Sequence, residues 1–182
     1  WIWRFSMICK KTEACFFELL KSPDVVRCKQ KPLCLDFCDT RSEAVCKEKG
    51  KVYRLLNEDR LYKILSLHVD GGVIVTDRET PPNVAKCDYL YLIDLEPEPI
   101  AILIELKGTN IKRAIEQIKN TLVLFSHAFD KCNKVYGRIV FSGGTPNIQN
   151  IPAFMSLQRE FKRRKGSLIA NEVLTDSVEN IC

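Results

Sequence analysis

Three residues near the middle of the chain, Asp88, Glu105 and Lys107, have types and spacing that could support metal-assisted chemistry. Glu105 and Lys107 follow the apolar run 100–104 and are separated from each other by a single leucine. A run that is apolar on both faces is typical of a central strand, so both residues are predicted at the end of such a strand. Because side chains alternate along a strand, they should point to the same face of the sheet.

A hairpin is predicted to bring Asp88 to the same place. Its strands are expected at 88–95 and 100–107, and the Glu-Pro-Glu-Pro sequence at 96–99 favours a turn because proline cannot extend a β ladder. A turn centred on these residues puts Asp88 opposite Glu105 or the lysine, with Cβ atoms ~5 Å apart. Two carboxylates and an ammonium group would therefore meet at one end of the sheet.

This group of charges has a specific chemical use. Two carboxylates this close repel each other unless a cation lies between them. Their oxygens suit Mg²⁺ or Mn²⁺, which bind few protein ligands and keep several waters. A metal held by Asp88 and Glu105 could polarise a phosphodiester and acidify a bound water, and Lys107 could orient that water. The alternative is a structural ion pair between the lysine and one of the acids.

Hydrophobic periodicity and turn residues predict the elements that would position these charges. Helices are predicted at 11–21, 41–49, 110–127 and 152–165, with Gly50 as the C-terminal cap of the second. Strands are predicted at 62–69, 73–75, 88–95, 100–107, 135–141 and 167–174, and residues 22–40 are predicted to form a loop. Asp70 lies between the first two strands, where a turn is favoured over a bulge aimed at the site.

This order of elements predicts an α/β (α+β) fold. We expect a mixed central sheet that contains an antiparallel three-strand meander and is flanked by helices. The length suits one domain, covering residues 1–182, with a helical, cysteine-rich segment at 1–50 and a sheet-containing core at 51–182.

The arrangement of Asp88 followed by Glu105-Leu106-Lys107 resembles the signature of the PD-(D/E)xK nuclease superfamily. The similarity covers roughly residues 41–142, and Cys87 stands where the proline of the signature is usual. The resemblance implies a restriction-endonuclease-like fold and Mg²⁺- or Mn²⁺-dependent hydrolysis of nucleic acid, with DNA as the expected substrate. It also implies that Asp88 and Glu105 bind the metal and that Lys107 is the catalytic lysine.

Two further residues take candidate roles from the same resemblance. Many members add an acid from an upstream helix, for which Glu43 is the candidate. Some members place a glutamine on the following helix, where Gln117 lies beside the apolar stripe and could reach Lys107. The alternative for Gln117 is a solvated helix residue. The alternative for the whole chain is a catalytically silent nucleic-acid-binding or regulatory subunit of the same fold.

The distribution of positive charge suggests where a nucleic acid would bind. The formal net charge is +5, which suits a polyanionic partner without requiring one. Lys112 and Arg113 fall in the first turn of the helix after Lys107 and are the candidate backbone-binding residues, and a second basic run spans 159–165. Each run could instead be a solvated helix face. The chain could act as a homodimer or as the cutting subunit of a larger complex.

The nine cysteines bear on the cellular compartment. Their number is odd, and six of them precede residue 50. The apolar opening at 1–9 is too short to span a membrane and lacks a small-residue cleavage site, so we expect a cytoplasmic protein with reduced thiols and no membrane partner. A metal cluster on Cys28, Cys34, Cys38 and Cys46 is the alternative, but their irregular spacing is unlike that of structural zinc sites.

Overall fold

The computed structural model describes residues 12–24, 31–73, 84–143 and 147–182. The helices are α1 (Thr12–Lys21), α2 (Lys31–Cys34), α3 (Ile111–Leu124), α4 (Ser126–Phe129), α5 (Pro152–Arg163) and α6 (Val178–Ile181). The strands are β1 (Leu35–Asp39), β2 (Glu43–Glu48), β3 (Lys51–Leu56), β4 (Ile64–His68), β5 (Tyr89–Ile93), β6 (Ile100–Leu106), β7 (Lys134–Val140), β8 (Leu168–Asn171) and β9 (Leu174–Ser177).

A six-stranded mixed sheet, in the order β1-β4-β5-β6-β7-β8, forms the centre of the fold. Strands β4, β5 and β6 pair antiparallel, which confirms the predicted meander. Strands β6, β7 and β8 pair parallel, and helices α3 and α5 lie in the connections between them. The fold is therefore a mixed α/β arrangement with helices flanking a mixed sheet, as the order of elements predicts.

A second sheet of three strands, β2-β3-β9, contradicts the helix predicted at 41–49. Ala44 and Cys46 are buried alternately along β2, which is the period of a strand and not of a helix. Gly50 does not cap a helix: together with Lys49 it forms the tight hairpin turn, with φ values of 78° and 46°. The prediction that residues 1–50 form a helical segment is therefore wrong for residues 43–50, which form β2 and the hairpin turn.

Other boundaries differ less from the prediction. The helix predicted at 11–21 is confirmed as α1, whereas the loop predicted at 22–40 contains α2 and β1. The predicted helix 110–127 breaks at Phe125 into α3 and α4, and the last predicted strand is the pair β8 and β9. Asp70 lies in a turn, as favoured. The strand predicted at 73–75 falls mostly outside the described residues.

The two faces of the large sheet carry separate cores. One face packs against the helices, where the predicted apolar stripe of α3 (Ile111, Ala114, Ile115, Ile118 and Leu122) is buried. The other face packs against the small sheet and α6. None of the helices in the described ranges has the length and apolar character needed to cross a membrane.

A buried ion pair ties the two sheets together. Arg138 of β7 is 1% exposed, and its Nε lies 2.5 Å from Oδ2 of Asp176 on β9. The hydroxyl of Tyr53 on β3 donates to the same carboxylate oxygen at 2.8 Å. The guanidinium also donates to the backbone carbonyl of Ser167, so most of its donors have partners despite complete burial.

Candidate active site

Asp88 and Glu105 face each other at one end of the large sheet. The β5–β6 register pairs Tyr89 with Ile104 and Leu90 with Leu103, so one further step places Asp88 opposite Glu105. Both acids lie on the face that carries Leu90 and Leu103, which is the face covered by the helices. The hairpin predicted from the proline-containing turn therefore has the register that brings the two carboxylates together.

Asp88 is held at the end of β6 by a backbone hydrogen bond. Its Oδ2 accepts from the N–H of Leu106 at 2.7 Å. Burial raises the pKa of Asp88 to about 7, the Leu106 N–H opposes this shift, and the nearby carboxylate of Glu48 adds to it. Near neutral pH this group therefore exchanges readily between its charged and its protonated form.

Glu105 is the most unusual group of the site. Its side chain is 0% exposed, and neither carboxylate oxygen has a hydrogen-bond partner among the described residues. Its pKa is raised to about 8, mainly by burial and also by the charge of Asp88, while Lys107 opposes the shift. A buried acid with two unsatisfied oxygens is costly for a fold and needs an explanation.

Lys107 extends past the end of β6 and lies between an acid and an amide. Its Nζ is 3.3 Å from Oε1 of Glu105, an ion-pair distance without hydrogen-bond geometry, and it donates to Oε1 of Gln117 at 2.7 Å. Gln117 is 4% exposed, so the alternative of a solvated helix residue is wrong. The amide of Gln117 thus fixes where the ammonium group sits.

One side of α3 also fixes the segment that leads into Asp88. The Nε2 of Gln117 donates to the carbonyl of residue 86 at 2.8 Å, and the Nδ2 of Asn120 donates to that of residue 85 at 3.1 Å. The Oγ1 of Thr121 accepts from the N–H of residue 87 at 2.8 Å. These three residues recur at helical spacing, so one helix face holds the two successive peptide groups between residues 85 and 87, directly before Asp88.

Glu48 is a member of the site that the sequence analysis missed. It shares the inward face of β2 with Ala44 and Cys46 and lies at the end of the hairpin. A hydrogen bond from Lys49 lowers its pKa most, and a hydrogen-bonding contact with Asp88 contributes in the same direction. The Lys-Gly pair at 49–50 is the sequence signal that could have indicated a hairpin and hence this strand.

Glu43, the acid predicted for this role, lies elsewhere. It is on β2 and not on a helix, and its position five residues from Glu48 puts it on the opposite face of the strand. Its Oε1 accepts from Arg54 at 2.6 Å in a surface ion pair. The acid beside Asp88 is therefore Glu48.

The donor set bears on which cofactor the site could hold. Within the described ranges, no group of three or more His, Cys, Asp or Glu side chains is arranged as a preformed metal site. Asp88 and Glu105 nevertheless offer carboxylate oxygens side by side, and those of Glu105 are unsatisfied. Magnesium is commonly bound by only one or two carboxylates, with water and substrate oxygens completing the shell, so the pair fits such an ion.

The predicted backbone-binding residues lie close to the site in sequence and are open to solvent. Lys112 and Arg113 are exposed in the first turn of α3. Asn110 caps this helix by accepting from the N–H of Arg113 at 3.1 Å. The turn therefore presents two cations on the helix that also supplies Gln117.

The N-terminal cysteines are only partly described. Cys38 contacts the carbonyls of Leu19 and Leu20 through its thiol, at 3.6 and 3.7 Å. Cys46 is buried in the core between the sheets, and burial raises its pKa to about 12. Cys9 and Cys28 lie outside the described residues, so the choice between thiols and a metal cluster stays a prediction.

Comparison with known proteins gives one partial similarity. The chain is 26% identical over 95 residues to the succinate–CoA ligase [ADP-forming] subunit beta of Campylobacter curvus (strain 525.92). The match covers 52% of this chain but only 23% of the ligase subunit. No family model matches the sequence, and no solved structure matches the fold.

Proposed function

We propose that this protein is a metal-dependent nuclease that hydrolyses phosphodiester bonds of nucleic acid, with DNA as the expected substrate. The observation that carries the proposal is the fully buried carboxylate of Glu105, which has no hydrogen-bond partner among the described residues and lies opposite Asp88. Burial is the main cause of the raised pKa values of both acids and neighbouring carboxylates add to it, while Lys107 opposes the shifts only in part, so a bound cation would stabilise the ionised acids. Such strain is typical of functional sites.

Asp88 and Glu105 are the residues that would hold the ion, with Glu48 close to Asp88. When bound, Mg²⁺ or Mn²⁺ would polarise the scissile phosphodiester and lower the pKa of a bound water. Supporting this choice, the donors are hard carboxylate oxygens and none is a thiolate or imidazole.

The residues around the acids have roles that follow from their contacts. Lys107, fixed between Glu105 and Gln117, would orient the attacking water and offset charge that develops on the phosphate. Gln117 would act as a positioning residue, because it accepts from Lys107 and donates to the segment before Asp88. Lys112 and Arg113 would bind the phosphate backbone beside the site.

We further propose a restriction-endonuclease-like core for this fold. Support comes from the antiparallel meander β4-β5-β6, the crossover helix α3 and the parallel strand β7, with the acids at the end of the meander. The similarity to the ligase subunit supplies no argument for ligase activity here, because it covers under a quarter of that protein. A silent binding module would not need Glu105 to stay buried beside Asp88.

Cleavage of plasmid DNA by the purified chain tests the proposal. Cutting should need Mg²⁺ or Mn²⁺ and stop with chelator, and Asp88→Asn, Glu105→Gln and Lys107→Met should each lower the rate on the order of a hundredfold or more. Glu43→Gln is the matched control, since its carboxylate is in a surface ion pair on the outer face of β2. Full activity in Glu105→Gln, or cutting that persists in chelator, would contradict the assignment.

A further inference from the structure

A cavity of about 550 Å³ lies beside α5, away from the acids, and the proposed catalytic group does not use it. Four of its lining residues, Met155, Gln158, Arg159 and Lys162, recur along the helix at the spacing of a single face. Ser167, just before the edge strand β8, is on its wall. The opposite face of α5 is apolar and buried in the core.

The cations of the basic run 159–165 differ in whether an acid of the protein pairs with them. Arg163 is paired with Glu160 at 2.6 Å, and Arg164 is paired with Asp130 at 2.8 Å. Arg159 and Lys162, which line the cavity, have no ion-pair partner within the described ranges. The cavity is therefore lined by two cations that no acid of the described residues neutralises, while Lys165, which also lacks an ion-pair partner among these residues, lies outside it.

The other lining groups suit a ligand with both polar and flat apolar parts. Met155 is 48% exposed, so its side chain offers an apolar surface for a base. Gln158 donates to Oε1 of Gln149 at 3.1 Å, so two amide side chains meet at the wall of the cavity. Proteins that bind single-stranded nucleic acid usually combine cations, which contact the phosphates, with an apolar surface against which the bases pack.

The sheet register relates the cavity to the acids. Glu105 on β6 pairs with Ile139 on β7, and Ile139 pairs with Ala170 on β8. The cavity residue Leu168 precedes Ala170 by two residues on the same strand. With strands ~4.8 Å apart and ~3.3 Å per residue, the backbones of Glu105 and Leu168 are roughly 12 Å apart. That span is about three to four steps of a helical nucleic-acid strand at ~3.4 Å each.

We propose, given the nuclease function proposed above, that this cavity binds the substrate strand a few nucleotides from the bond that is cut. Arg159 and Lys162 contact its phosphates, and Met155 packs against a base. The alternative role for Lys162, in the last turn of α5, is to stabilise the C-terminal end of that helix, and the alternative for Arg159 is a solvated side chain; neither requires a ligand.

Fluorescence anisotropy with a labelled 20-nucleotide single strand, in chelator to prevent cutting, tests this assignment. Arg159→Ala with Lys162→Ala should weaken binding about tenfold and lower the slope of log affinity against log salt by about 1.4. The matched control removes the same charge from the same run but outside the cavity, as Arg163→Ala with Lys165→Ala, and should change the affinity less than twofold. An equal loss of affinity in both variants, or no loss in the cavity variant, would overturn the proposal. The proposal would also fail if polyglutamate displaced the labelled strand as effectively as unlabelled strand does.

Cleavage by the same variants separates this inference from the proposed function. With Mg²⁺, the cavity variant should raise KM and leave kcat unchanged. If the wild type binds through the cavity but never cuts, the nuclease proposal fails and the cavity assignment stands. If the wild type cuts and the cavity variant binds and cuts equally well, the cavity assignment alone fails.

Discussion

Replacing Glu105 with glutamine removes a buried charge while keeping the shape of the side chain. Burial and Asp88 raise the pKa of Glu105 from its usual 4.5 to about 8, so the folded protein holds a proton there that the unfolded chain releases. The contribution of Glu105 to folding stability is therefore most favourable below pH 4.5 and is lost as the pH rises towards 8. At ~1.4 kcal/mol per pKa unit, the ionisable acid costs the metal-free fold about 3 kcal/mol at pH 7.

Urea unfolding in chelator, at several pH values from 4.5 to 8, measures this effect. Glu105→Gln should be more stable than wild type by about 3 kcal/mol at pH 7, and the difference should shrink to near zero at pH 4.5. Millimolar Mg²⁺ should stabilise the wild type and not the variant, because binding to the folded state alone raises the free energy of unfolding.

Glu116→Gln, on the exposed side of α3, is the control and should change stability by less than about 0.5 kcal/mol at every pH. A Glu105→Gln protein that is less stable than wild type at pH 7, or a difference that does not vary with pH, would refute the explanation of Glu105 as a strained acid. Equal stabilisation of wild type and variant by Mg²⁺ would refute its role as a metal ligand.

Three further outcomes follow from the contacts. Glu48→Gln should weaken Mg²⁺ binding in calorimetry several-fold while Glu43→Gln leaves it unchanged, since only the first acid contacts the site; equal effects would contradict this. Lys112→Ala with Arg113→Ala should weaken binding to duplex DNA and lower the salt slope by about 1.8 without altering Mg²⁺ affinity, whereas an unchanged slope would mean that they only solvate the helix. Arg138→Met should lower the free energy of unfolding in urea by about 3 kcal/mol because the carboxylate of Asp176, only 14% exposed, loses its cation, and a loss below about 1 kcal/mol would count against this.

Local rules in the sequence were enough to place Asp88, Glu105 and Lys107 together. The apolar run before Glu105 marks a central strand, the prolines at 96–99 mark the turn, and strand parity then leaves few possible registers. The apolar stripe of α3 likewise predicted a helix directly after the lysine. All of these signals act over short stretches of chain, where spacing alone decides which side chains share a face.

The tertiary structure decided which other groups join them. Glu48 lies in a segment whose mixture of apolar and charged residues suggested a helix, and its strand forms because β3 pairs with it and with the distant β9. From the sequence, a solvated position and a position in the site were equally compatible with Gln117. The packing of α3 buries this side chain against Lys107 and the segment before Asp88. Spacing along the chain fixes side-chain direction within an element, but only packing between distant elements removes water from a carboxylate and sets its partners.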